Sequence, residues 1–194
     1  MRVATAIALA AVLAAVAACG GTSPTSPSGG SSSLSIMLKD SPFSDAKSLL
    51  VTFSDVSVHR SDQTDDGWTK LPFSGAATAR TCDLKKLETA QDILGTGTLT
   101  AGHYTQVRLT VSSAVLYFDN AAVGAACAAT IAAPAGASAS VDVPSGEVKL
   151  NRDFDVSSSG ATTMLLDFDG DRSVRQTGNG RYLMSPVISV VSVQ

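Results

Sequence analysis

The fold is decided by residues 99–111, which read Leu-Thr-Ala-Gly-His-Tyr-Thr-Gln-Val-Arg-Leu-Thr-Val. After the Ala-Gly turn the residues alternate, which is typical of a half-buried β-strand. One predicted face carries Thr105, Val107, Leu109 and Val111, and the other carries Gln106, Arg108 and Thr110. The Leu-x-x-Gly-x-Tyr arrangement is similar to a tyrosine corner, in which the hydroxyl of Tyr104 would bond upstream backbone. The alternative is a surface Tyr in a loop.

The same alternation recurs along most of the chain. Leu34, Ile36 and Leu38 alternate with polar residues, and Pro42 ends that strand because proline cannot donate a hydrogen bond to a sheet. A change of parity at residues 54–55 predicts a β-bulge. The pattern gives about nine strands, with turn signals roughly every 8–12 residues. It predicts an all-β sandwich, Greek-key, prealbumin-like or immunoglobulin-like.

Two segments depart from simple alternation. Asp83 can cap a helix, Gly95 can end it, and the leucines between them share one helical face. Residues 84–94 therefore form either one helix or two short turns, and we expect at most one short helix in the domain. Pro186 marks an edge or bulge position in the last predicted strand, residues 181–193.

The N-terminus looks like a bacterial lipoprotein signal. Residues 1–18 carry Arg2 followed by an apolar, Ala-rich run that is shorter than the roughly 20 residues of a spanning helix. Cleavage before Cys19 would leave this cysteine to carry lipid. The alternatives are an uncleaved anchor or an ordinary signal without lipid. By resemblance to Gram-negative lipoproteins, Gly20 favours the outer membrane in such a host.

Residues 19–33 are predicted to form the lipidated cysteine and a flexible tether. After Cys19 this segment contains only Gly, Ser, Thr and Pro, a composition that cannot bury apolar surface. Its root-mean-square span is roughly 20 Å. Residues 34–194 then form one extracytoplasmic domain, and the lipid would be its only membrane attachment.

Charge and cysteine content narrow the class further. The formal net charge is −3 and no basic patch is visible, which argues against a nucleic-acid partner. Cys82 and Cys127 remain once Cys19 is assigned to lipid. In an oxidising compartment they form a disulfide, or else they are two free thiols.

The sharpest candidate site is the cluster Asp167, Asp169 and Asp171. Closely spaced carboxylates suit Ca²⁺, although the EF-hand pattern fails at its Gly and Glu positions. The alternative is a strand end at which Asp favours the turn and Arg172 or Arg175 neutralises the charge. Apart from this calcium hypothesis, we expect no cofactor.

Catalytic patterns do not appear in the sequence. His59 and His103 lack neighbours at metal-ligand spacing, and there is no Gly-x-Ser-x-Gly elbow. We therefore expect a protein without catalytic activity. If Tyr104 is structural, the aromatic residues left for a binding platform are Trp68, Tyr117 and Tyr182.

Five short motifs in order resemble the bacterial domain-of-unknown-function family 4382, found in many secreted lipoproteins. They are Asp40-Ser41-Pro42, the run from Ala101 to Leu109, Val143-Pro144-Ser145-Gly146, Leu166-Asp167-Phe168-Asp169, and Ser185-Pro186-Val187-Ile188. The resemblance covers residues 34–191. It departs at Ser41 and Ser185, where the family usually has Ala and Lys. It implies a sandwich similar to prealbumin-like or starch-binding-like modules and brings no established activity.

Three hypotheses about function follow. The first is a lipid-anchored envelope binding or adhesion module, which binds an unknown protein or glycan. The second is a structural envelope component that pairs with a partner protein through an edge strand. The third is a calcium-dependent glycan-binding module that uses the Asp cluster.

Overall fold

The computed structural model describes residues 30–41, 46–64 and 66–194. Within these residues the chain forms thirteen β-strands, two single-turn α-helices and one 3₁₀ turn at Ser74–Ala76. The strands are β1 (Ser31–Ser41), β2 (Ser48–Arg60), β3 (Trp68–Lys70), β4 (Arg80–Asp83), β5 (Asp92–Thr100), β6 (Gly102–Tyr117), β7 (Cys127–Ala128), β8 (Ser138–Asp142), β9 (Glu147–Val156), β10 (Ala161–Asp169), β11 (Val174–Gln176), β12 (Tyr182–Met184) and β13 (Ile188–Val193). The helices are α1 (Leu84–Leu87) and α2 (Gly170–Ser173). The predicted signal peptide, Cys19 and most of the tether lie outside the described residues.

The smaller sheet has four strands within the described residues, in the order β13-β10-β1-β5. Its central strand β1 pairs parallel with β10 and antiparallel with β5. Leu34, Ile36 and Leu38 are fully buried, so the predicted alternation in β1 is confirmed. The strand begins at Ser31, so the last serines assigned to the tether belong to the sheet.

The larger sheet is built around β2 and β6, which pair antiparallel along nearly their full lengths. On the far side of β2 lie β3 and β4, and on the far side of β6 lie β9 and β8. Strands β7, β12 and β11 extend its margins, giving nine strands in the described part of the chain. The register of β2 against β6 shifts on either side of Phe53, which confirms the predicted bulge near Ser54.

The two sheets pack their apolar faces together as an all-β sandwich. Fully buried side chains of the core come from both sheets, among them Ile36, Phe53, Leu94, Leu109, Leu166 and Phe168. Burial of a side chain of this size stabilises the fold by about 1.5–3 kcal/mol. The predicted fold class is therefore confirmed.

The tyrosine corner is present at the start of β6. The Tyr104 hydroxyl donates to the carbonyl oxygen of Thr100 at 2.9 Å, and its buried ring stacks on Phe154 with centroids 5.4 Å apart. Burial raises the pKa of Tyr104, which keeps the phenol protonated as a donor. Gly102 has φ 152°, and a Cβ there would lie 3.0 Å from Nε of Arg60. The corner predicted from sequence is confirmed.

A disulfide joins Cys82 to Cys127 across the paired strands β4 and β7. The two cysteines are 45 residues apart, and closing a loop of that length stabilises the fold by about 4 kcal/mol in the chain-entropy model. Both residues are buried. The bond therefore fastens the Ala-rich segment that contains β7 to the larger sheet.

Asp83 is a fully buried carboxylate beside the disulfide. Its side chain accepts hydrogen bonds from the Ser48 hydroxyl at 2.8 Å and from the backbone N–H groups of Leu49 and Lys85, each at 3.2 Å. Burial raises the pKa of Asp83 despite these donors. The bond to Lys85 caps α1, as the sequence predicted.

The predicted helix over residues 84–94 is wrong beyond its first turn. Helix α1 ends at Leu87, and Gly95 lies inside β5 rather than at a helix end. Leu94 is fully buried on β5, which pairs with β1. Pairing with a distant strand overrides the local helical pattern of the leucines. A second single-turn helix, α2, follows β10, where at most one helix was expected.

The predicted last strand is two strands that belong to different sheets. Strand β12 pairs with β8 and β11 in the larger sheet, whereas β13 pairs with β10 in the smaller one. Pro186 lies in the crossover between them, where the chain has no sheet hydrogen bond for it to interrupt.

Candidate ligand-binding surface

The three aspartates of the calcium hypothesis have separate roles. Oδ2 of Asp167 lies 2.9 Å from Nζ of Lys39. Asp169 caps α2 by accepting from the backbone N–H of Arg172 at 3.0 Å, and Asp171 lies exposed on α2. Among the described residues, no three His, Cys, Asp or Glu side chains are grouped to hold a metal ion. Calcium binding stays a prediction, which thermal melting in millimolar Ca²⁺ tests.

The two histidines lie near the same end of the larger sheet, His59 on β2 opposite Gln106 and His103 at the start of β6. Nδ1 of His103 is 2.8 Å from Asp155, and its Nε2 is 3.8 Å from Asp153, with all three side chains exposed. Nε2 of His59 is 2.9 Å from the carbonyl oxygen of Thr64 in the β2–β3 loop. Each histidine is thus held by its own hairpin or cross-strand neighbour.

The three aromatic candidates do not form one platform. Tyr117 is buried in a small cluster with Leu50 and Ala122. Tyr182 is half-buried and packs on Phe118, with ring centroids 5.8 Å apart. Trp68 alone lies half-buried on the outer face of the larger sheet, where charged and amide side chains surround it.

We call this region the Trp68 surface. It consists of outward side chains of β2, β3, β6 and β9, namely His59, Trp68, Lys70, Thr105, Gln106, Arg108, Lys149 and Asn151. A shallow cavity of about 490 Å³ lies among His59, Trp68, Thr105, Gln106 and Lys149. That volume is within the range of small-molecule binding sites.

Strand register brings these residues together. The hairpin after β2 returns β3 alongside it, so that Trp68 lies opposite His59, and His59 in turn lies opposite Gln106. The register between β6 and β9 shifts at Thr105, which places this residue at the cavity. The prediction that Thr105 shares the inner face with Val107 is therefore wrong.

Two cations and one histidine contact the indole of Trp68. Cζ of Arg108 lies 4.1 Å from the ring centroid, and Nζ of Lys149 lies 5.9 Å from it. The ring of His59 is tilted against it, with centroids 5.2 Å apart. Cations over an indole ring are attracted by its negative face. These contacts hold the indole of Trp68 in place and keep both cations beside it.

Hydrogen bonds hold the polar part of the surface in place. Nε of Arg108 donates to the hydroxyl of Ser57, a fully buried residue, at 3.2 Å. The amide of Gln106 donates to Asn151 at 3.0 Å. Chemically, this arrangement offers an aromatic ring, a guanidinium and amide groups to one ligand. That combination suits binding of a polar, ring-containing molecule.

Comparison with known proteins gives the family. The family model named "Domain of unknown function (DUF4382)" matches residues 31–186. The chain belongs to this family. The DUF4382 match begins at Ser31, the first residue of β1, and includes the whole Trp68 surface. No curated protein and no solved structure matches the chain.

Within the described part of this DUF4382 protein, no helix is long and apolar enough to cross a membrane. The sequence motifs that carried the family resemblance are mostly structural here. Asp40 accepts from the backbone N–H of Gly170 at 2.9 Å, and the motif around Tyr104 forms the corner. The family motifs therefore account for the frame of the sandwich more than for the Trp68 surface.

Sequence reasoning alone does not identify four residues of the Trp68 surface as site residues, namely Gln106, Arg108, Lys149 and Asn151. The available signal was their position, because Gln106 and Arg108 occupy the predicted polar face of β6. Nothing local connects that face to Trp68 or to Lys149. Only the pairing of β6 with β2 and β9 does so.

Proposed function

We propose that this protein is a non-catalytic binding module of the cell envelope, anchored through lipid on Cys19, and that it binds its ligand at the Trp68 surface. The observation that carries the proposal is the placement of Trp68. The indole lies half-buried on an outer sheet face, in contact with Arg108 and Lys149 and beside a cavity of about 490 Å³. An aromatic ring among converging polar groups is the usual composition of a binding site.

The anchor is supported by the order of segments. The lipobox-like residues before Cys19 are followed by a segment of Gly, Ser, Thr and Pro, and β1 begins at Ser31, within the last serines of that segment. A mature lipoprotein cysteine carries two or three acyl chains, and two chains hold a protein stably on a bilayer. Gly/Ser-rich composition is typical of flexible linkers, and a linker of this kind would let the sandwich turn the Trp68 surface toward ligands in the envelope.

The environment of the histidines supports a role in binding rather than catalysis. His59, the histidine at the Trp68 surface, contacts a backbone carbonyl of Thr64 instead of a hydroxyl or thiol that it could activate. His103 is exposed at the start of β6, and its partner there is the exposed carboxylate of Asp155. A nucleophilic mechanism requires a nucleophile within hydrogen-bond reach of its base.

The anchor and the surface are tested separately. Wild-type protein is expected in the membrane fraction of its host and the Cys19→Ser variant in the soluble fraction; membrane retention of that variant would refute lipid anchoring. The Cys19→Ser protein is then mixed with isolated envelope material. We expect the Cys19→Ser protein to sediment with this material. The Cys19→Ser protein that also carries Trp68→Ala should remain in the supernatant.

The matched control is Tyr182→Ala, which removes another half-buried aromatic ring, one that packs on Phe118 away from the Trp68 surface. This variant should sediment as the parent does. If Trp68→Ala sediments equally well, the Trp68 surface is not the binding site. Circular dichroism of each variant verifies that the sandwich is folded.

One observation favours edge-strand pairing as a second candidate function. Strand β13 (Ile188–Val193) lies at the margin of the smaller sheet, contains no charged residue and exposes half of Val191. Such a strand can accept an added strand from a partner. Replacement of Val191 by Lys would abolish a partner interaction of this kind and leave sedimentation through the Trp68 surface unchanged.

A further inference from the structure

We infer that the ligand of the Trp68 surface is an acidic polysaccharide, whose uronate carboxylates contact Arg108 and Lys149 while a sugar ring lies against the indole. The inference rests on the proposed function, because it names the ligand class of that same surface. It is carried by an unusual distribution of charge across neighbouring strands.

A row of cations crosses the larger sheet. Lys70 on β3 is opposite Ser57 on β2, Ser57 is opposite Arg108 on β6, and Arg108 is opposite Lys149 on β9. Like charges directly opposite each other in a sheet destabilise it. The row stands out in a chain with 14 Lys and Arg against 17 Asp and Glu. An anionic ligand would offset the repulsion.

The protein itself supplies few anions to this row. Lys70 has Asp55 at 2.5 Å. Arg108 and Lys149 share Glu147, whose carboxylate lies 3.7 Å from the guanidinium and 3.4 Å from the ammonium. Charge-assisted hydrogen bonds are about 2.7–2.9 Å long, so both contacts with Glu147 are loose. One loosely held carboxylate for two cations leaves positive charge available to a ligand.

The guanidinium of Arg108 is prepared for a carboxylate. Its Nε is committed to the hydroxyl of Ser57 and its plane is held near the ring of Trp68. A guanidinium fixed in this way loses little side-chain entropy when its terminal nitrogens bind a planar carboxylate. The exposed ammonium of Lys149 lies beside it and adds a second, more adaptable charge.

The remaining groups favour a sugar over a simple anion. Trp68 offers an apolar ring surface, and the Gln106–Asn151 amide pair, Thr105 and His59 offer hydrogen bonds around it. A pyranose combines apolar C–H groups with hydroxyls at its edge, which matches a ring bordered by amides. The net charge of the chain is negative, which opposes non-specific attraction to polyanions. Attraction of an anionic polymer therefore depends on this local row of cations.

The test measures binding of defined polymers to the Cys19→Ser protein by isothermal titration calorimetry in EDTA, which removes calcium bridging. The probes are sodium alginate and polygalacturonate, both uronate polymers, and dextran as the neutral polymer. We expect binding to both uronates and none to dextran. Raising NaCl from about 0.05 to about 0.5 M should weaken uronate binding, because screening lengths fall to a few ångströms.

Variants locate the interaction. Trp68→Ala and the double variant Arg108→Gln/Lys149→Gln are each expected to weaken uronate binding by roughly tenfold or more, as for central contacts of an interface. Trp68→Phe should retain part of the affinity, which separates loss of the ring from loss of the fold. Arg175→Gln removes an exposed cation of β11. It should leave the affinity unchanged.

Three results would overturn the acidic class. The first is failure of both uronates to bind, and the second is binding to dextran as tight as binding to the uronates. The third is unchanged uronate binding by the Arg108→Gln/Lys149→Gln variant. The proposed function survives each of these outcomes if Trp68→Ala still prevents sedimentation with envelope material, and it fails separately if that variant sediments normally.

Discussion

The two sheets of the sandwich bury similar apolar inner faces and present different outer faces. On the smaller sheet the outer face carries small hydroxyl groups, such as Ser35 and Thr96 with their oxygens 3.0 Å apart, and an apolar row in which Met37 lies between Ile93 and Leu165. On the larger sheet it carries the Trp68 surface. Both outer faces follow the same alternation of inward and outward residues. They differ in the residue types at the outward positions, which form a candidate site on the larger sheet alone among the described residues.

The charge patterns of the two faces differ in the same way. On the smaller sheet, Lys39 lies opposite Asp167 in the strand register and pairs with it at 2.9 Å. On the larger sheet, Arg108 lies opposite Lys149. Opposite charges across strands stabilise a sheet and like charges destabilise it. The smaller sheet is arranged for stability at this point, whereas the larger one gives up some stability for a cationic surface.

The sheets also differ at their margins, because a disulfide joins β4 to β7 at the margin of the larger sheet. Removal of this disulfide should lower the unfolding free energy more than the other changes below. In a Cys19→Ser background, the Cys82→Ala/Cys127→Ala variant should lose about 4 kcal/mol of unfolding free energy, because the unfolded chain regains a loop of 45 residues. Chemical denaturation measures the loss. Hydrogen exchange should show weaker protection at β4 and β7 than at β1 and β10. Equal loss of protection in both sheets would contradict the comparison.

Substitution of Asp83 should have the next largest effect on the unfolding free energy. Asp83→Ala removes the acceptor of the Ser48 hydroxyl and of two backbone N–H groups. A buried donor left without a partner costs one to several kcal/mol, so this variant should lose about 3 kcal/mol of unfolding free energy. Asp83→Asn should cost less, because its amide oxygen still accepts from the N–H groups of Leu49 and Lys85. Denaturant titrations of the three proteins measure both differences; equal losses in the two variants would show that these bonds contribute nothing.

The pH dependence of Asp83 has a definite sign. Burial raises its folded pKa above the ordinary value of 3.8, so the protonated form is favoured by folding. The stabilisation that wild type gains relative to Asp83→Asn is fully present below pH 3.8 and is lost as pH rises through the raised pKa. Unfolding free energies of both proteins between acid and neutral pH test this. An increase of the difference with pH would overturn it.

The smallest expected change in unfolding free energy comes from replacing one lysine on each outer face. Lys39→Thr should lower the unfolding free energy by about 0.2–1 kcal/mol, because it breaks the cross-strand pair with Asp167. Lys149→Thr should lower it by less or raise it, because it relieves repulsion with Arg108. Thr suits a strand equally at both positions, so denaturation in low salt compares them directly. A larger loss for Lys149→Thr would remove the argument that the cationic row costs stability.

Period-two alternation was a reliable guide to individual strands. It identified β1 through Leu34, Ile36 and Leu38, the bulge near Ser54, and the inward face of β6 at Val107 and Leu109. These features depend on neighbours within a few residues and on one buried face, so the sequence carries them. The tyrosine corner was predictable for the same reason, since Tyr104 bonds Thr100 only four residues upstream.

The errors arose where long-range pairing overrode local pattern. The leucines of residues 84–94 suggest a helix, yet Leu94 is needed in the core beside β1. Pro186 suggests an edge or bulge position within one strand, yet it lies where the chain changes sheets. Asp167 pairs with Lys39 and Asp169 caps α2, contacts that the spacing of the two residues does not reveal, and calcium binding by this cluster stays a prediction. The cap of α2 is a local contact, whereas Lys39 and the strands that pair with residues 84–94 and with β13 are distant in sequence.

The sequence by itself determined that the chain after the tether is an all-β sandwich with a tyrosine corner, because alternation and turn chemistry act between near neighbours. The tertiary structure decided which outward residues meet. Trp68, Arg108 and Lys149 lie on three different strands, and the register of β3, β2, β6 and β9 places them side by side. That register depends on pairing between distant parts of the chain, so the Trp68 surface exists only once the larger sheet has formed.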